Sequence, residues 1–298
     1  MLKKRIILLL SKYYFRILSL KKRVDFIVLC PRALGDTCFA LSMSQYITSK
    51  YKCSFYIYLG YREIIESCYN IKNNANIIYY KPQTFLSAML LYTLAPGGLG
   101  KVLIKSNVIC AIPFAFFPSD SQINSTYIDF LEKGIIGEKF NITYPVMSNK
   151  LLQKEKQKYI ILNPYSNSME IKNINVWDKI VEYARKEGYV VYTNTIKNQH
   201  EISGTIKMNC SFIEMYEKVK NAVMFVSIRS GIVDFTISTG TPHYIIYYDN
   251  NDKCLDYNMK AVYPLSQWRT GSFEEKYYSC DDDVFDSFRH YFDSYSVK

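Results

Sequence analysis

The sequence predicts an α/β protein of two Rossmann-like domains, each with a parallel sheet, facing each other across a cleft. Its 298 residues are enough for two ordinary domains, and 49% of them are apolar, as in a globular protein. Short apolar runs alternate with amphipathic helical stretches along most of the chain. The runs are continuously apolar, which is typical of strands buried on both faces of a parallel sheet.

The first series of elements occupies 24–150. Apolar runs such as "CSFYIYL" predict strands, and apolar residues at helical spacing predict the helices between them. Strands are expected at 25–30, 53–59, 76–80 and 107–111, and helices at 36–50, 61–68 and 84–94. The polar, lysine-rich run 148–159 ends this series and crosses to the next one.

The second series occupies 151–298 and is of similar size. Strands are expected at 159–164, 189–194, 224–228 and 243–248, and helices at 175–187, 211–221 and from 231. A C-terminal amphipathic helix is a candidate to pack back on the first domain; its apolar residues are Val284, Phe285, Phe288 and Phe292. Because open parallel sheets bind ligands outside the carboxyl ends of their strands, the residues that follow each strand are the functional candidates.

The first 23 residues form a separate basic segment. They contain eight Lys or Arg residues and no acid, whereas the rest of the chain carries 29 basic and 27 acidic side chains. Arg5, Lys12, Arg16 and Arg23 fall on one stripe of a helical wheel that is otherwise apolar or aromatic. This pattern predicts a helix lying in an anionic membrane surface, with a helix packed on the protein's own core as the alternative. A span is not expected because charges interrupt the run, and neither is nucleic-acid binding, because the basic excess is confined to this segment.

The cysteines and histidines do not form a recognisable metal or redox motif. Eight cysteines occur without any CxxC pair, and the three histidines lie far apart without an HExxH or Ser/His/Asp pattern. We therefore expect a cytoplasmic protein with reduced thiols and neither a metal nor a cofactor.

The stretch "RALGDT" at 32–37 joins the first predicted strand to its helix. Gly35 permits a tight turn and close approach of a ligand, and Asp36 follows it at the helix start. Aspartate is among the best helix N-caps, so capping is one interpretation of Asp36. The other is that its carboxylate takes a proton from a molecule bound above the turn.

A polar cluster follows the strand that ends near Asn163. Ser166, Asn167, Ser168 and Lys172 precede the next helix. Hydroxyl groups, backbone N–H groups and a lysine ahead of a helix suit an oxyanion such as a diphosphate. A polar loop that only turns the chain is the alternative, because the glycine pattern of a Walker A loop is absent.

The strand at 224–228 runs directly into a helix start. Ser230 is placed to cap that helix, Gly231 leaves its first N–H groups accessible, and Arg229 adds a positive charge beside the helix dipole. These residues predict a seat for a phosphate or carboxylate, with an ordinary surface arginine as the alternative. The helix is expected to end at Gly240, which is followed by Thr and Pro.

In order and spacing, these three stretches resemble the heptosyltransferase-like, family 9 glycosyltransferases of the GT-B fold. Members of that family begin with a strand and a Gly-Asp turn, and midway they have a strand ending in Asn-Pro-Gly or a similar turn, a hydroxyl cluster and a lysine. Near the end they carry "D-S/T-G-x-x-H" and "G-T-P". The resemblance covers about 24–250. It implies metal-independent, inverting transfer from a nucleotide-sugar to lipopolysaccharide, capsule or another bacterial surface glycan, by a peripheral protein at the inner face of the cytoplasmic membrane.

The resemblance also implies roles for domains and single residues. The domain at 24–150 would be the acceptor side and the domain at 151–298 would bind the donor. Asp36 matches the proposed general base of the family. The predicted donor-binding residues are Asn163, Ser166, Lys172, Arg229, Ser230, Gly231 and Asp234.

Several positions depart from the family pattern. Arg229 stands where the family has aspartate, and Asp234 stands where it has histidine. These changes leave open a non-enzymatic, membrane-associated protein with a degenerate GT-B scaffold. A sugar-nucleotide epimerase of the same architecture is a further alternative, although its usual histidine and acidic catalytic residues are not evident.

A rival interpretation assigns Asp281, Asp282 and Asp283 as the metal-binding acids of a GT-A enzyme. These acids precede the C-terminal helix, where the helix dipole alone favours negative charge. No second acidic site supports a metal. We therefore expect the acidic run to be a helix start.

Overall fold

The structure is a computed structural model. It describes 23–30, 33–69, 75–81, 108–110, 126–132, 137–147, 157–166, 175–196, 198–248 and 264–295, together with residues 17, 20, 21 and 71. The chain divides into two compact units, 1–147 and 148–298.

The first unit contains a four-stranded, fully parallel sheet with strand order β3-β2-β1-β4. Its strands are β1 (Phe26–Leu29), β2 (Cys53–Tyr58), β3 (Ala75–Tyr80) and β4 (Val108–Cys110). Its helices are α1 (Leu34–Ser42), α2 (Ser44–Lys50), α3 (Arg62–Cys68) and α4 (Tyr127–Phe130). The strand order reverses direction between β1 and β4, so the carboxyl end of β1 lies at a switch point of the kind where open sheets bind ligands.

The second unit contains a six-stranded, fully parallel sheet with strand order β10-β9-β8-β5-β6-β7. Its strands are β5 (Tyr159–Asn163), β6 (Val190–Asn194), β7 (Ile206–Met208), β8 (Met224–Ile228), β9 (His243–Tyr247) and β10 (Phe273–Tyr277). Its helices are α5 (Asn175–Lys186), α6 (Phe212–Asn221), α7 (Gly231–Thr236) and α8 (Asp281–Tyr295). Counted within the unit, this is the 3-2-1-4-5-6 order of dinucleotide-binding Rossmann sheets, with the switch point between β5 and β8.

The core of the second unit explains why its elements form. The central strands are buried on both faces, as the continuous apolar runs predicted; β5 contributes Ile160, Ile161 and Leu162, all without exposed surface. Helix α5 buries one apolar stripe against the sheet, formed by Val176, Trp177, Ile180, Val181 and Ala184. Helix α8 packs on α5 within this unit through Val284, Phe288 and Phe292, which repeat every four residues.

In the second unit, local sequence explains where one helix begins and where another ends. Ser211 begins α6 with a capping box, in which its hydroxyl accepts from the Glu214 N–H and the Glu214 carboxylate accepts from the Ser211 N–H. Gly240 has a φ of +74° and ends the short 3-10 helix Ile237–Thr239 that follows α7. The predicted stop at Gly240 is therefore confirmed, because glycine adopts this left-handed conformation without steric cost.

Several elements differ from the predictions, among them helix α4, which was not predicted. The expected helix at 36–50 is two helices, α1 and α2, which meet at Met43. The edge strands β7 and β10 were not predicted: β7 has three residues, and β10 reads FEEKY, with charged residues at its centre. The predicted helix at 84–94 and most of the basic segment 1–23 lie outside the described residues. Among the helices that the structure describes, none is both long and apolar enough to cross a bilayer.

Candidate functional site

Asp36 lies in the first turn of α1, at the carboxyl edge of the sheet of the first unit. The helix begins at Leu34, and Ala33 occupies the cap position, so Asp36 is the third residue of the helix. The capping interpretation of Asp36 is therefore wrong. Its half-buried carboxylate is instead favoured by the dipole at the helix N-terminus. This position leaves the general-base role as a prediction.

In the second unit, a row of buried and half-buried polar side chains lies at the switch point between β5 and β8. The Asn163 amide donates to the Ser227 hydroxyl at 2.9 Å and to the Ser230 hydroxyl at 3.3 Å. Its oxygen accepts from the Asn194 amide at 2.8 Å. One side chain thus joins the ends of β5, β6 and β8. Its amide is used by these internal bonds, and a direct contact between Asn163 and a donor stays a prediction.

Ser166 lies three residues beyond the end of β5 and is half-buried. It therefore follows the polar row on the chain, at the same edge of the sheet. Lys172, Asn167 and Ser168 lie outside the described residues. The predicted contacts of Ser166 and Lys172 with a diphosphate stay predictions.

The turn between β8 and α7 places Ser230 and Gly231 at the same edge. Ser230 stands at the cap position of α7, but its side chain makes no capping hydrogen bond. The prediction of a serine cap is wrong in this respect, since the Ser230 hydroxyl accepts from the Asn163 amide. The Ser230 carbonyl oxygen accepts from the Val233 N–H at 3.0 Å, which begins the helix at Gly231.

Arg229 and Asp234 form a buried ion pair beside this turn. Each side chain is 2% exposed. Arg229 Nη1 donates to Asp234 Oδ2 at 2.9 Å, and Nη2 donates to Oδ1 at 2.6 Å. Burial by itself lowers the pKa of Arg229, but the charge of Asp234 has the opposite effect and the pKa lies above its ordinary value. The guanidinium therefore stays charged and binds the Asp234 carboxylate through two hydrogen bonds. Arg229 and Asp234, both predicted to contact the donor, are thus partners of each other.

A second layer of hydrogen bonds surrounds the ion pair. Trp268 Nε1 donates to Asp234 Oδ1 at 2.9 Å from the 3-10 helix Leu265–Trp268. The Leu265 N–H and the Tyr247 hydroxyl both donate to Glu275 Oε1, at 2.9 Å and 2.6 Å. Burial raises the pKa of Tyr247 well above its ordinary value, so the phenol keeps its proton for this bond. The bonds tie β9, β10 and the 3-10 helix to the region around the pair.

The acidic run Asp281–Asp283 opens α8, as expected. Lys179 binds Asp282 at 2.5 Å, and Lys276 binds Asp283 at 2.7 Å. Within the described ranges, no three His, Cys, Asp or Glu side chains lie together in a way that could hold a metal ion. The acidic run is therefore a helix start with surface ion pairs.

Sequence reasoning missed Asn194, Ser227 and Trp268. Asn194 and Ser227 carry a usable signal, because each stands at the carboxyl end of a buried parallel strand. Trp268 carries no such signal, since its contact with Asp234 joins residues 34 positions apart and is set by the tertiary fold.

No model of a protein family matches the sequence, and no curated protein is similar enough to count as a relative. Solved structures do match. E. coli ADP-heptose lps heptosyltransferase II gives a TM-score of 0.58 at 12% identity, covering 90% of this chain and 98% of that one. A glycosyl transferase of family 9 from Veillonella parvula gives 0.56 at 10% identity, covering 90% and 97%.

A third structure is the bacterial iron-containing dodecameric glycosyltransferase TibC from enterotoxigenic E. coli. It gives a TM-score of 0.51 at 13% identity, covering 74% of this chain and 57% of that one. The chain thus spans little more than half the length of TibC. At identities of 10–13% these similarities show the fold. The predicted fold class is confirmed: the chain has two Rossmann-like units with parallel sheets, the fold of heptosyltransferase-like GT-B proteins.

Proposed function

We propose that the protein is a glycosyltransferase that moves a sugar from a nucleoside-diphosphate sugar to a bacterial surface glycan. The observation that carries the proposal is the polar row Asn163–Asn194–Ser227–Ser230 at the switch point of a Rossmann sheet. Such switch points bind nucleotides. The fold shared with heptosyltransferase-like enzymes supports the same class of reaction.

The second unit is proposed to bind the donor. Ser166 and Lys172 follow β5 in the sequence, Ser230 belongs to the polar row, and Gly231 follows it directly. Hydroxyl groups, backbone N–H groups and one lysine match the charge and hydrogen-bonding needs of a diphosphate. Asn163 contributes by holding Ser230. ADP-heptose is the first donor to test, because it appears in the description of heptosyltransferase II and in that of a TibC complex.

Asp36 is proposed as the general base that deprotonates the acceptor hydroxyl. Direct displacement inverts the sugar centre, and it needs one carboxylate behind the acceptor oxygen and positive charge at the departing diphosphate. Lys172 would supply that charge without a metal. Since TibC is described as iron-containing, transfer assays belong both in EDTA and with added Fe²⁺ or Mg²⁺.

We expect one nucleoside diphosphate to raise the melting temperature of the wild type, with ADP as the first candidate. A ligand that binds the native state at 100 times its Kd stabilises it by about 2.7 kcal/mol. Lys172→Ala should remove most of the shift because it removes the proposed cation at the diphosphate. Differential scanning fluorimetry with ADP, GDP, UDP, TDP and CMP measures this.

The control is Lys207→Ala, which removes an exposed lysine on β7 and should keep the full shift. No shift from any nucleotide would contradict the proposed donor site. Nucleotide binding without transfer to any acceptor would favour the second candidate, a degenerate scaffold. That candidate is favoured because Arg229 and Asp234 stand where the family has aspartate and histidine.

The acceptor is proposed to be a glycan or glycolipid of a surface-polysaccharide pathway, met at the inner face of the cytoplasmic membrane. The basic segment 1–23 supports this location through its charge. Where this segment is described, Ile17 and Leu20 are 62% and 71% exposed, and Lys21 and Arg23 are exposed beside them. Apolar and basic side chains exposed together suit an anionic lipid surface.

We expect the protein to float with vesicles that contain 30 mol% phosphatidylglycerol, and not with pure phosphatidylcholine vesicles. Ile17→Asp combined with Leu20→Asp should abolish flotation, because it places two acids against the anionic surface. Ile206→Asp is the matched control, since Ile206 is 53% exposed on β7 of the other unit. Equal flotation of the double variant and the wild type would contradict membrane binding through this segment.

A further inference from the structure

The ion pair Arg229–Asp234 lies directly beside the turn that the proposed function assigns to the donor. Arg229 follows the last residue of β8, and Asp234 lies in the first turn of α7. Both oxygens of the Asp234 carboxylate accept from the guanidinium, at 2.9 Å and 2.6 Å. Because a guanidinium is a planar, rigid fork, two such bonds fix both side chains relative to each other. The pair thus links the end of β8 to the first turn of α7 through two buried side chains.

Arg229 also holds the backbone of the turn. Its Nη1 donates to the Ser230 carbonyl oxygen at 2.9 Å, and that oxygen also accepts from the Val233 N–H. In a trans peptide the carbonyl and the following N–H point in opposite directions. The two bonds therefore fix the direction of the Gly231 N–H, which points away from the pair and has no acceptor within its own helix.

Asp234 is held from its other side. Trp268 Nε1 donates to Asp234 Oδ1, and the Trp268 side chain is fully buried. The carboxylate thus accepts three hydrogen bonds, and the guanidinium compensates its charge. In this state Asp234 has no role as a base or as a direct partner of a negatively charged donor.

The side chain of Ser230 is held separately from its backbone. The Asn163 amide donates to the Ser230 hydroxyl at 3.3 Å, from the end of β5. The hydroxyl is thus positioned across the switch point, whereas the peptide that follows is positioned by Arg229. Asn163 thus holds the side chain of Ser230, and Arg229 holds its backbone.

We propose that Arg229 and Asp234 are positioning residues of the donor site. They orient the peptide between Ser230 and Gly231 so that its N–H and the Ser230 hydroxyl meet an oxygen of the donor diphosphate, and they do not contact the donor themselves. This inference rests on the proposed function. It replaces the direct phosphate contact that the sequence predicted for Arg229.

The test separates positioning from stability by comparing the wild type and four variants in titration calorimetry with the nucleoside diphosphate that binds the wild type. Asp234→Asn removes the charge of the pair. Arg229→Met combined with Asp234→Leu replaces the pair by apolar side chains, which often preserves or raises stability. Tyr244→Phe is the control, because it removes a buried hydrogen bond to the Val284 carbonyl oxygen, away from the turn. Circular dichroism identifies a temperature at which all five proteins are folded.

We expect Asp234→Asn to weaken nucleotide binding at least tenfold, and the apolar double variant to weaken it as much although it remains folded. Tyr244→Phe should change the affinity less than twofold. Trp268→Phe keeps the ring packing but removes one donor to Asp234, and should give an intermediate loss. Wild-type affinity in the double variant would overturn the positioning role and leave the donor site in place. A wild type that binds no nucleoside diphosphate would overturn the proposed function, and the inference with it.

Discussion

Asp36→Asn is expected to lower the rate of sugar transfer by about 10²- to 10⁴-fold, the usual contribution of a general base. Asparagine has nearly the same shape as aspartate but cannot accept the proton of the acceptor hydroxyl. Because Asp36 is the third residue of α1 and not its cap, the change removes a favourable charge from the helix start. The associated loss in stability is about 1 kcal/mol or less. The measurement is nucleotide release per minute from a donor and a purified glycolipid acceptor.

The matched control is Glu63→Gln. Glu63 is an exposed acid in the first turn of α3, so its removal also takes a negative charge from a helix start in the same unit. The control should transfer at the wild-type rate, and both variants should bind the nucleotide as the wild type does. Near-normal transfer by Asp36→Asn would remove Asp36 from the mechanism. A similar loss in Glu63→Gln would mean that helix stability, and not proton transfer, limits the rate.

The sequence predicts the interior of each sheet well and its edges poorly. A strand such as β8 is buried on both faces, so four of the five residues of "MFVSI" are apolar, and its bounds at Met224 and Ile228 are as predicted. An edge strand pairs on one side only, and solvent reaches its other side. The FEEKY strand β10 therefore tolerates three charges in a row, and no apolar run indicates it.

The candidate site could be predicted only in its position along the chain. The rule that ligands bind beyond the carboxyl ends of parallel strands selected Asn163 and the turn at Ser230, and the structure joins them by a hydrogen bond. This rule does not predict which of these side chains are buried and pair with each other. Arg229 and Asp234 are five residues apart, a spacing that brings no pair together on a regular helix, and they meet because a strand ends and a helix begins between them.

Trp268 could not be predicted as a partner of Asp234. Its position depends on how the 3-10 helix before β10 folds over α7, which is decided by packing and not by local sequence. The hydrogen bond from Trp268 to Asp234 is therefore set by the tertiary structure of the second unit. The same holds for the choice of Glu275 as the common acceptor of Tyr247 and Leu265.

The ion pair should also dominate the stability of the second unit. Arg229→Met is expected to lower the free energy of unfolding by about 3–5 kcal/mol, because it leaves Asp234 charged and buried with Trp268 and without its cation. That is a large part of the 5–15 kcal/mol that typically holds a domain folded. Both tryptophans of the chain, Trp177 and Trp268, lie in this unit, so urea unfolding followed by tryptophan fluorescence reports on it selectively.

Adding Asp234→Leu to Arg229→Met should recover most of this loss, since no buried charge then lacks a partner. Lys276→Met is the control, because Lys276 pairs with Asp283 at the surface and its removal should matter far less. A single variant as unstable as the double would show that lost packing, and not the unpaired carboxylate, is the cause. If the double variant is as stable as the wild type but binds the nucleotide weakly, the pair is not needed for folding. The charged pair would then be needed to orient the turn at Ser230 and Gly231, as the positioning role requires.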